Sequence, residues 1–376
     1  MEKPLAPRES RWREFWRLFK RNKLASFGLV IFVLFFFTAV AGLVFTSGPN
    51  PFFDPSMVRL EEKLRPPLSA PRGNLSPQAI PWSGVYLLGT DELGRDVFAR
   101  MMQGAWVSLT VGFVAVGISV LVGILLGGIS GYYGQNAVTA DQVIGVVLVI
   151  IGIGLFFAKA FASGAVLLIP GGLWFVFSPR WKKKWRKARE VGWTKILSMR
   201  TMSIDTVIMR FVDIMLCFPS FFLILTVVAL LPASIYNIMI VIGLTSWMGT
   251  TRFVRAEFLS LREQDFVTAA RALGVSSGRI IFRHMVPNAI APVLVSATIG
   301  IASAILTEAG LSFLGLGVPP PHATWGNILA DGKNYIFDAP WLTFIPGIAI
   351  LIVVLSFNLF GEGLRDALNP RLREQS

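Results

Sequence analysis

The amino-acid sequence predicts an all-α polytopic membrane protein, a helical bundle that crosses the bilayer several times. Of its 376 residues, 54% are hydrophobic and only 15% are charged. Six apolar stretches come close to the roughly 20 residues that cross a bilayer. Soluble domains carry about 25% charged residues, so this chain has too little charge to coat a water-facing surface of its size. A soluble enzyme is therefore not expected.

The chain opens with a basic segment, residues 1–23, followed by the first span. From Arg8 to Lys23 the aromatic side chains share one helical face, the set being Trp12, Phe15, Trp16 and Phe19. This pattern is typical of an amphipathic helix in the headgroup region, acting as a simple anchor or as a contact for a regulatory partner. The first span, Leu24 to Phe45, is longer than the 7 to 15 residues of a signal h-region, so we expect it to be retained.

Five further apolar stretches are predicted to cross the bilayer. They are Gly104 to Gly131, Thr206 to Leu231, Ala233 to Thr250, Ala289 to Ala309 and Trp341 to Phe360. Region 24–134 thus holds two spans and an external loop, 204–361 a four-helix core, and 362–376 a tail. Pro219 in the third span and several glycines in the second permit bending and close helix contact.

Residues 136–203 are interpreted as an inserted module of apolar and then basic composition. The only charge between Val143 and Phe177 is Lys159. Because both flanks are expected in the cytoplasm, the number of crossings must be even, and we expect a hairpin of Val143 to Phe157 and Ala160 to Phe177. These arms are short for a span, so a re-entrant or interfacial module is the alternative.

The distribution of Lys and Arg predicts which segments face the cytoplasm. Residues 1–23 carry eight Lys/Arg against three acids, 178–204 carry nine against one, and 252–284 carry six against three. Segments 47–103 and 317–340 carry six against six and one against two. Cytoplasmic loops are enriched in Lys and Arg, so both termini are expected inside. The net charge of +13 then reports topology and contact with anionic lipid, and no nucleic-acid partner is needed to explain it.

The external segment 47–89 is rich in proline, which prevents long helices, and it is expected to be an extended loop. It leads into the sequence GTDELGRD at residues 89–96. There Thr90 or Asp91 is expected to cap the helix that enters the second span.

The loop between the fourth and fifth spans, 252–287, is predicted to form a helix, a turn and a second helix. Phe266, Ala269, Ala270 and Leu273 recur at helical spacing, and Gly274 stands where a helix ends. Ser276 or Ser277 can cap the next helix. Small alanines on an exposed face would let another protein approach closely, and a helix-turn-helix pinned to the bilayer at both ends could hardly enter a DNA groove.

This loop resembles the EAA motif of permease subunits of bacterial ABC importers. Ala269, Ala270, Gly274 and Pro287 match that pattern, whereas Thr268, His284 and Val286 replace its Glu, Ile and Leu. The whole chain outside 136–203 resembles the second permease subunit of the dipeptide, oligopeptide and nickel importer family. The supporting segments are FKRNKLASFG at 19–28, GTDELGRDVFAR at 89–100, MRFVDIMLCFP at 209–219, EAGLSFLGLGVPPP at 308–321 and NLFGEGLRDALNP at 358–370.

The resemblance implies a type I permease-like bundle in the inner membrane and a set of partners. These are a second permease subunit, two cytoplasmic ATPase subunits and an external substrate-binding protein. The residues it implies for ATPase docking are Asp265, Ala269, Ala270, Arg271, Gly274, Arg279, Arg283 and Pro287. No GxxxxGK[ST] phosphate loop occurs in the sequence, so ATP hydrolysis is expected in the partner subunits. Dipeptides or oligopeptides are the expected substrates, and nickel or another small solute is the alternative.

Charges near the spans are functional candidates, because an unpaired charge at bilayer depth is costly. Arg210 is expected to pair with Asp213 or with Asp205 near the cytoplasmic side. Glu308 is expected to reach the outer surface and to pair with Arg95 or Arg100, with a contact to a substrate ammonium group as the alternative.

Two other functional classes are less well supported by the sequence. A secondary transporter without ATPase subunits would want a mid-bilayer charge and inverted repeats, and we find neither. An intramembrane enzyme would need paired histidines or an activated nucleophile, but His284 and His322 are expected on opposite sides of the membrane. The single Cys217 excludes a disulfide framework. We expect no catalytic residue, no metal site and no cofactor in this chain.

Overall fold

The computed structural model of the chain describes residues 11–49, 51–72, 75, 80–134, 137–139 and 200–368. The α-helices are α1 (Arg11–Arg21), α2 (Lys23–Thr46), α3 (Val97–Tyr133), α4 (Ile204–Leu216), α5 (Ser220–Leu230), α6 (Ile235–Arg262), α7 (Asp265–Ala272), α8 (Ser277–Phe313), α9 (Trp325–Gly332) and α10 (Trp341–Leu368). Two 3-10 turns cover Leu60–Glu62 and Lys333–Tyr335. The predicted all-α class is confirmed, apart from one short strand pair.

That strand pair, β1 (Ala137–Thr139) and β2 (Arg200–Ser203), is antiparallel, with Ala137 opposite Ser203. The chain therefore leaves and re-enters the helical bundle at adjacent points on either side of residues 140–199. The predicted hairpin of Val143 to Phe157 and Ala160 to Phe177 lies outside the described residues, as does the basic cluster that follows it.

Within the described ranges, four helices are long and apolar enough to cross a membrane, namely α2, α3, α8 and α10. The predicted third span is not one straight helix. It consists of α4 and α5, whose axes differ by 79°, and it counts as a fifth span if the pair crosses together. Pro219 follows the break, and proline both lacks an N–H donor and clashes with the preceding turn. The predicted fourth span lies in α6, which is long enough at 28 residues but more polar than the others.

The amino-terminal helix α1 packs against α10 of the same chain. Phe19 is only 1% exposed and lies edge-on to Phe360 of α10, with ring centroids 6.0 Å apart. Asn22 caps α2 by accepting from the Ala25 N–H and donates to Asp366 at 3.2 Å. The Phe19 ring therefore packs against α10 and is not available for contact with lipid headgroups. The side chain of Trp12 lies outside the described residues.

Helices α3 and α6 are in close contact through a glycine stripe on α3. A Cβ atom on Gly123 would lie 2.5 Å from the Thr250 side chain, and one on Gly127 would lie 2.5 Å from the Thr251 carbonyl oxygen. One turn further, a Cβ on Gly131 would lie 2.5 Å from the Phe258 Cβ. Contacting residue numbers rise together along both helices, so α3 and α6 run parallel, and spacing by four residues keeps the glycines on one face.

The short helix α9 lies between α3, α8 and α10, at the end of the bundle that the charge distribution predicts to be external. Thr324 and Asn327 form a reciprocal capping box at its start. The Trp325 indole N–H donates to the Met101 carbonyl at 3.0 Å. Gly104 of α3 lies directly under the Trp325 ring, where a Cβ would come within 2.6 Å of it. The Trp325 ring therefore fits against α3 because residue 104 is a glycine.

We predict that Gly131→Ala destabilises the protein, because its methyl group would overlap Phe258 and the Arg255 carbonyl oxygen. Overpacking of this kind costs about 1–3 kcal/mol. The matched control is Gly117→Ala on the same helix, where nothing lies within 4 Å of the new Cβ. The apparent melting temperature of the purified protein in detergent should fall in the first variant and stay level in the second. Equal melting temperatures would show that α3 and α6 are not held in close contact.

Candidate functional site

The loop that follows α6 forms the predicted helix, turn and helix. Helix α7 ends at a turn in which the Gly274 N–H donates to the Arg271 carbonyl and the Val275 N–H donates to the Ala270 carbonyl. Gly274 has a φ of +74°, a conformation that glycine adopts without the steric cost of a side chain. The predicted turn at Gly274 is confirmed. Ser276 occupies the N-cap position of α8, but its side chain makes no capping hydrogen bond.

Helix α7 has one buried face and one exposed face. Val267 is fully buried and Ala270 is 7% exposed, whereas Leu273 is 84% exposed and Phe266 and Ala269 also face outward. The prediction that Ala269 and Ala270 share the exposed face is therefore wrong for Ala270. A step of one residue turns a helix by about 100°, so two adjacent alanines cannot both point to one partner. We call Phe266, Ala269 and Leu273 the outer face of α7.

The buried face of α7 joins a cluster that ties the loop to the spans. Val267 and Ala270 pack with Phe258 of α6 and with Ile281 and Met285 of α8. Residues Ile280–Met285 form a π-helical turn within α8. Pro287, just after it, has no N–H to donate to the preceding turn. The loop is therefore fastened to both flanking helices by well-buried apolar contacts.

The charged residues that the resemblance implies for docking are exposed. Asp265 lies in the first turn of α7 and is exposed, as are Arg279 and Arg283. Arg271 is also exposed, but its guanidinium carbon lies 4.9 Å from the centre of the Tyr132 ring of α3. This is cation–π distance, so Arg271 is partly held by the bundle and is less free for a partner than the other arginines.

A second polar site lies at the external end of the bundle and is centred on buried Asp91. Its carboxylate accepts from the Arg95 side chain at 2.6 Å and from the Arg100 side chain at 2.5 Å. Asp331 of α9 completes the cluster, with its carboxylate 2.9 Å from the Arg100 guanidinium. We call Asp91, Arg95, Arg100 and Asp331 the external ion cluster. Arg95 and Arg100 each bridge the two carboxylates, which fastens the start of α3 to α9.

Two predictions about this end of the bundle are wrong. Glu308 does not pair with Arg95 or Arg100, because both arginines are engaged by Asp91 and Asp331. Glu308 is fully buried on α8 and accepts a 2.6 Å hydrogen bond from the Ser312 hydroxyl. The cap of α3 is neither Thr90 nor Asp91 but Asp96, which accepts from the Phe98 N–H at 2.9 Å. Burial raises the pKa of Asp96.

The ion pairs at the opposite end of the bundle, which is predicted to be cytoplasmic, also differ from those predicted. Asp213 pairs with Arg252 of α6 at 2.5 Å. Asp205 pairs with Arg255 of α6 and accepts from the Ser130 hydroxyl of α3. Arg210 is exposed and makes no ion pair within the described part of the chain. The prediction failed because Arg252 and Arg255 were assigned to the loop, whereas α6 continues to Arg262 and presents both arginines to α4.

The described residues show which kinds of binding site this part of the chain can form. No group of three or more His, Cys, Asp or Glu residues among them could hold a metal ion. The sites that are built instead are an apolar helix face on a loop, and ion clusters that join helices. This arrangement suits contact with another protein and movement of helices.

Comparisons with known proteins agree with this arrangement. Residues 196–374 match the family model "binding-protein-dependent transport system inner membrane component". Residues 10–67 match the "N-terminal TM domain of oligopeptide transport permease C".

Curated relatives align over nearly the whole chain. The dipeptide transport system permease protein DppC of Alkalihalophilus pseudofirmus is 36% identical over 97% of this chain and 91% of that protein. The di/tripeptide transport system permease protein DppC of Pseudomonas aeruginosa is 34% identical over 96% of this chain and 92% of that protein. The oligopeptide transport system permease protein OppC of Bacillus subtilis is 30% identical over 97% of this chain and 91% of that protein.

We predict that Arg100→Leu strongly destabilises the external end of the bundle. The change leaves Asp91 buried with one cation fewer, and removing one partner of a buried ion pair costs about 3–5 kcal/mol. Asp331→Asn is the control, because the Asp331 side chain is 28% exposed and partly exposed pairs contribute at most about 1 kcal/mol. The apparent melting temperature in detergent should drop much further for Arg100→Leu. Similar drops for both variants would contradict the central place of Asp91.

Proposed function

This chain belongs to the permease subunits of ABC peptide importers, and from that premise we propose that the outer face of α7 docks onto a cytoplasmic ATPase subunit. The observation that carries the proposal is the exposure of Phe266, Ala269 and Leu273 on a loop between two membrane helices. Apolar side chains exposed together mark a protein-interaction surface. Arg279 and Arg283 are exposed further along the same loop and would be available to acidic residues of the partner.

The packing behind α7 supports a coupling role for the loop. Val267 and Ala270 are buried against Phe258 of α6 and Met285 of α8. Packed interiors transmit displacement because they are dense and poorly compressible. Movement of the ATPase subunits would therefore displace the cytoplasmic ends of α6 and α8 together and change access to the translocation pathway.

The complete importer requires partners that this chain does not supply. Membership of the family implies a second permease subunit, ATPase subunits and a substrate-binding protein. We propose two ATPase subunits inside and the binding protein outside, with peptides as the cargo. The relatives carry the names of dipeptide, di/tripeptide and oligopeptide permeases, which favours peptides over nickel or another small solute. An ATPase-independent secondary transporter has no observation in its favour.

We predict that Ala269→Arg prevents co-purification of the ATPase subunits and abolishes peptide uptake. A long charged side chain on the outer face of α7 would block close approach of the partner. Ala269→Ser is the matched control, since it keeps the side chain small and should assemble and transport like the parent. Both variants should keep the parent melting temperature, because Ala269 is exposed. The docking assignment is wrong if Ala269→Arg assembles and transports normally.

We further propose that both termini lie in the cytoplasm, on the evidence of the Lys/Arg asymmetry between alternate loops. A periplasm-active reporter fused after Gly84 should be active, and one fused after Ser376 should be inactive. A cytoplasm-active reporter at the same two positions should give the reverse result. Activity of the periplasmic reporter after Ser376 would overturn this topology.

A further inference from the structure

A charged, partly exposed surface lies on α4 and α6, towards the ends of these two helices that are predicted to be cytoplasmic. Asp213 of α4 and Arg252 of α6 form an ion pair whose side chains are 44% and 52% exposed. Arg210, three residues before Asp213, lies on the same side of α4 and is also exposed. We call Arg210, Asp213, Cys217 and Arg252 the charged face. It carries a net charge of +1.

The contacts between α6 and α3 show how deep this surface lies. Arg252 directly follows Thr251, which touches Gly127, and Thr250 touches Gly123. At this level α3 exposes Leu121 and Leu125, as a lipid-facing helix does. A charge exposed to hydrocarbon costs about 2.5–3.5 kcal/mol or more. Charged side chains at this level therefore face water or the headgroup region and not lipid tails.

The helix break between α4 and α5 is an independent indication that this surface does not face lipid tails. Cys217, Phe218 and Pro219 interrupt the helix and are all exposed. They lie about 20 Å along α4 from its start, at 1.5 Å per residue. Irregular backbone at membrane depth is tolerated only where it is buried in protein or lines a water-filled cavity. The Cys217 thiol donates to the Asp213 carbonyl at 3.3 Å, so the break and the ion pair share one surface.

We infer that the charged face lines the water-filled translocation pathway and that Arg210 binds the carboxylate of the passing peptide. This inference rests on the proposed function and names the part of the subunit that meets the cargo. A free peptide carries one carboxylate, and arginine presents a planar pair of N–H donors that match it. Asp213 is already neutralised by Arg252, which leaves the Arg210 guanidinium available.

The alternative occupant of this surface is the second permease subunit in a dry interface. Burial of Arg210 and of the ion pair away from water would cost several kcal/mol per ion. Contact with water avoids that cost. A weak and transient site also suits transport, because a pathway must bind its cargo well enough to admit it and weakly enough to release it.

Cys217, the single cysteine of the chain, tests this inference in the assembled transporter. In membrane vesicles of both orientations, we expect Cys217 to react with a charged, membrane-impermeant methanethiosulfonate and with a lipophilic maleimide. Leu351→Cys in a Cys217→Ser background is the control, because Leu351 is a strongly exposed apolar residue of α10 and should react with the maleimide alone. Reaction of Cys217 with the maleimide alone, or with neither reagent, would overturn the inference.

Protection of Cys217 by peptide tests the role of Arg210. Dialanine should slow labelling in the parent, whereas dialanine amide, which lacks the carboxylate, should protect much less. Arg210→Gln should remove most of the protection by dialanine, and Arg210→Lys should keep part of it. In addition, an anionic methanethiosulfonate should react with Cys217 about tenfold more slowly in the Arg210→Gln variant than in the parent, because a local positive charge concentrates anions.

The outcomes separate this inference from the docking proposal. Arg210→Gln should leave co-purification of the ATPase subunits unchanged, because Arg210 lies away from the outer face of α7. Equal protection by dialanine and its amide, or undiminished protection in Arg210→Gln, would refute carboxylate binding while leaving the docking proposal intact.

Discussion

The close contact between α3 and α6 is the interaction on which the rest of the described structure depends. Gly123, Gly127 and Gly131 bring the two backbones together. Helices in lipid gain little from the hydrophobic effect between them, so small residues that allow close packing are a main source of their association. Because α6 is held in this way, its side chains can position both α4 and the loop helix α7.

Besides α3, helix α6 holds two further helices, α4 and α7. Arg252 and Arg255 hold α4 through Asp213 and Asp205. Phe258 forms the floor on which the loop helix α7 packs. A displacement of α7 would therefore reach α6 first and then α4, whose break at Cys217 to Pro219 lies beside the charged face. The proposed docking surface and the inferred pathway surface are joined by one continuous helix.

The external end of the bundle is organised by a different kind of contact. There the carboxylates of Asp91 and Asp331 share the two arginines of α3 and its leading turn. Buried ion clusters specify geometry even where their net contribution to stability is small. The external ion cluster thus fixes where α9 closes the bundle, while the opposite end is held by apolar packing around the loop and by the ion pairs between α4 and α6.

Much of this architecture could be predicted from the sequence, because hydropathy and its periodicity report the position and length of the helices directly. The all-α class, the loop helices and the turn at Gly274 were accessible in this way. The ion pairs were not, because they join residues such as Asp205 and Arg255 that are distant in sequence. Ala270 shows a second limit: composition marks a small residue as suited to contact, but only three-dimensional packing shows that its contact is internal.

The central claim is that α6 and α7 move as one body when the ATPase subunits act on the loop. Spin labels at Ala256 of α6 and Ala272 of α7, both exposed, would report this directly in a Cys217→Ser background. The distance between the labels should be the same in the nucleotide-free and ATP-bound assembled transporter. A change of several ångströms between the two states would show that α7 hinges independently of α6 and would contradict the account.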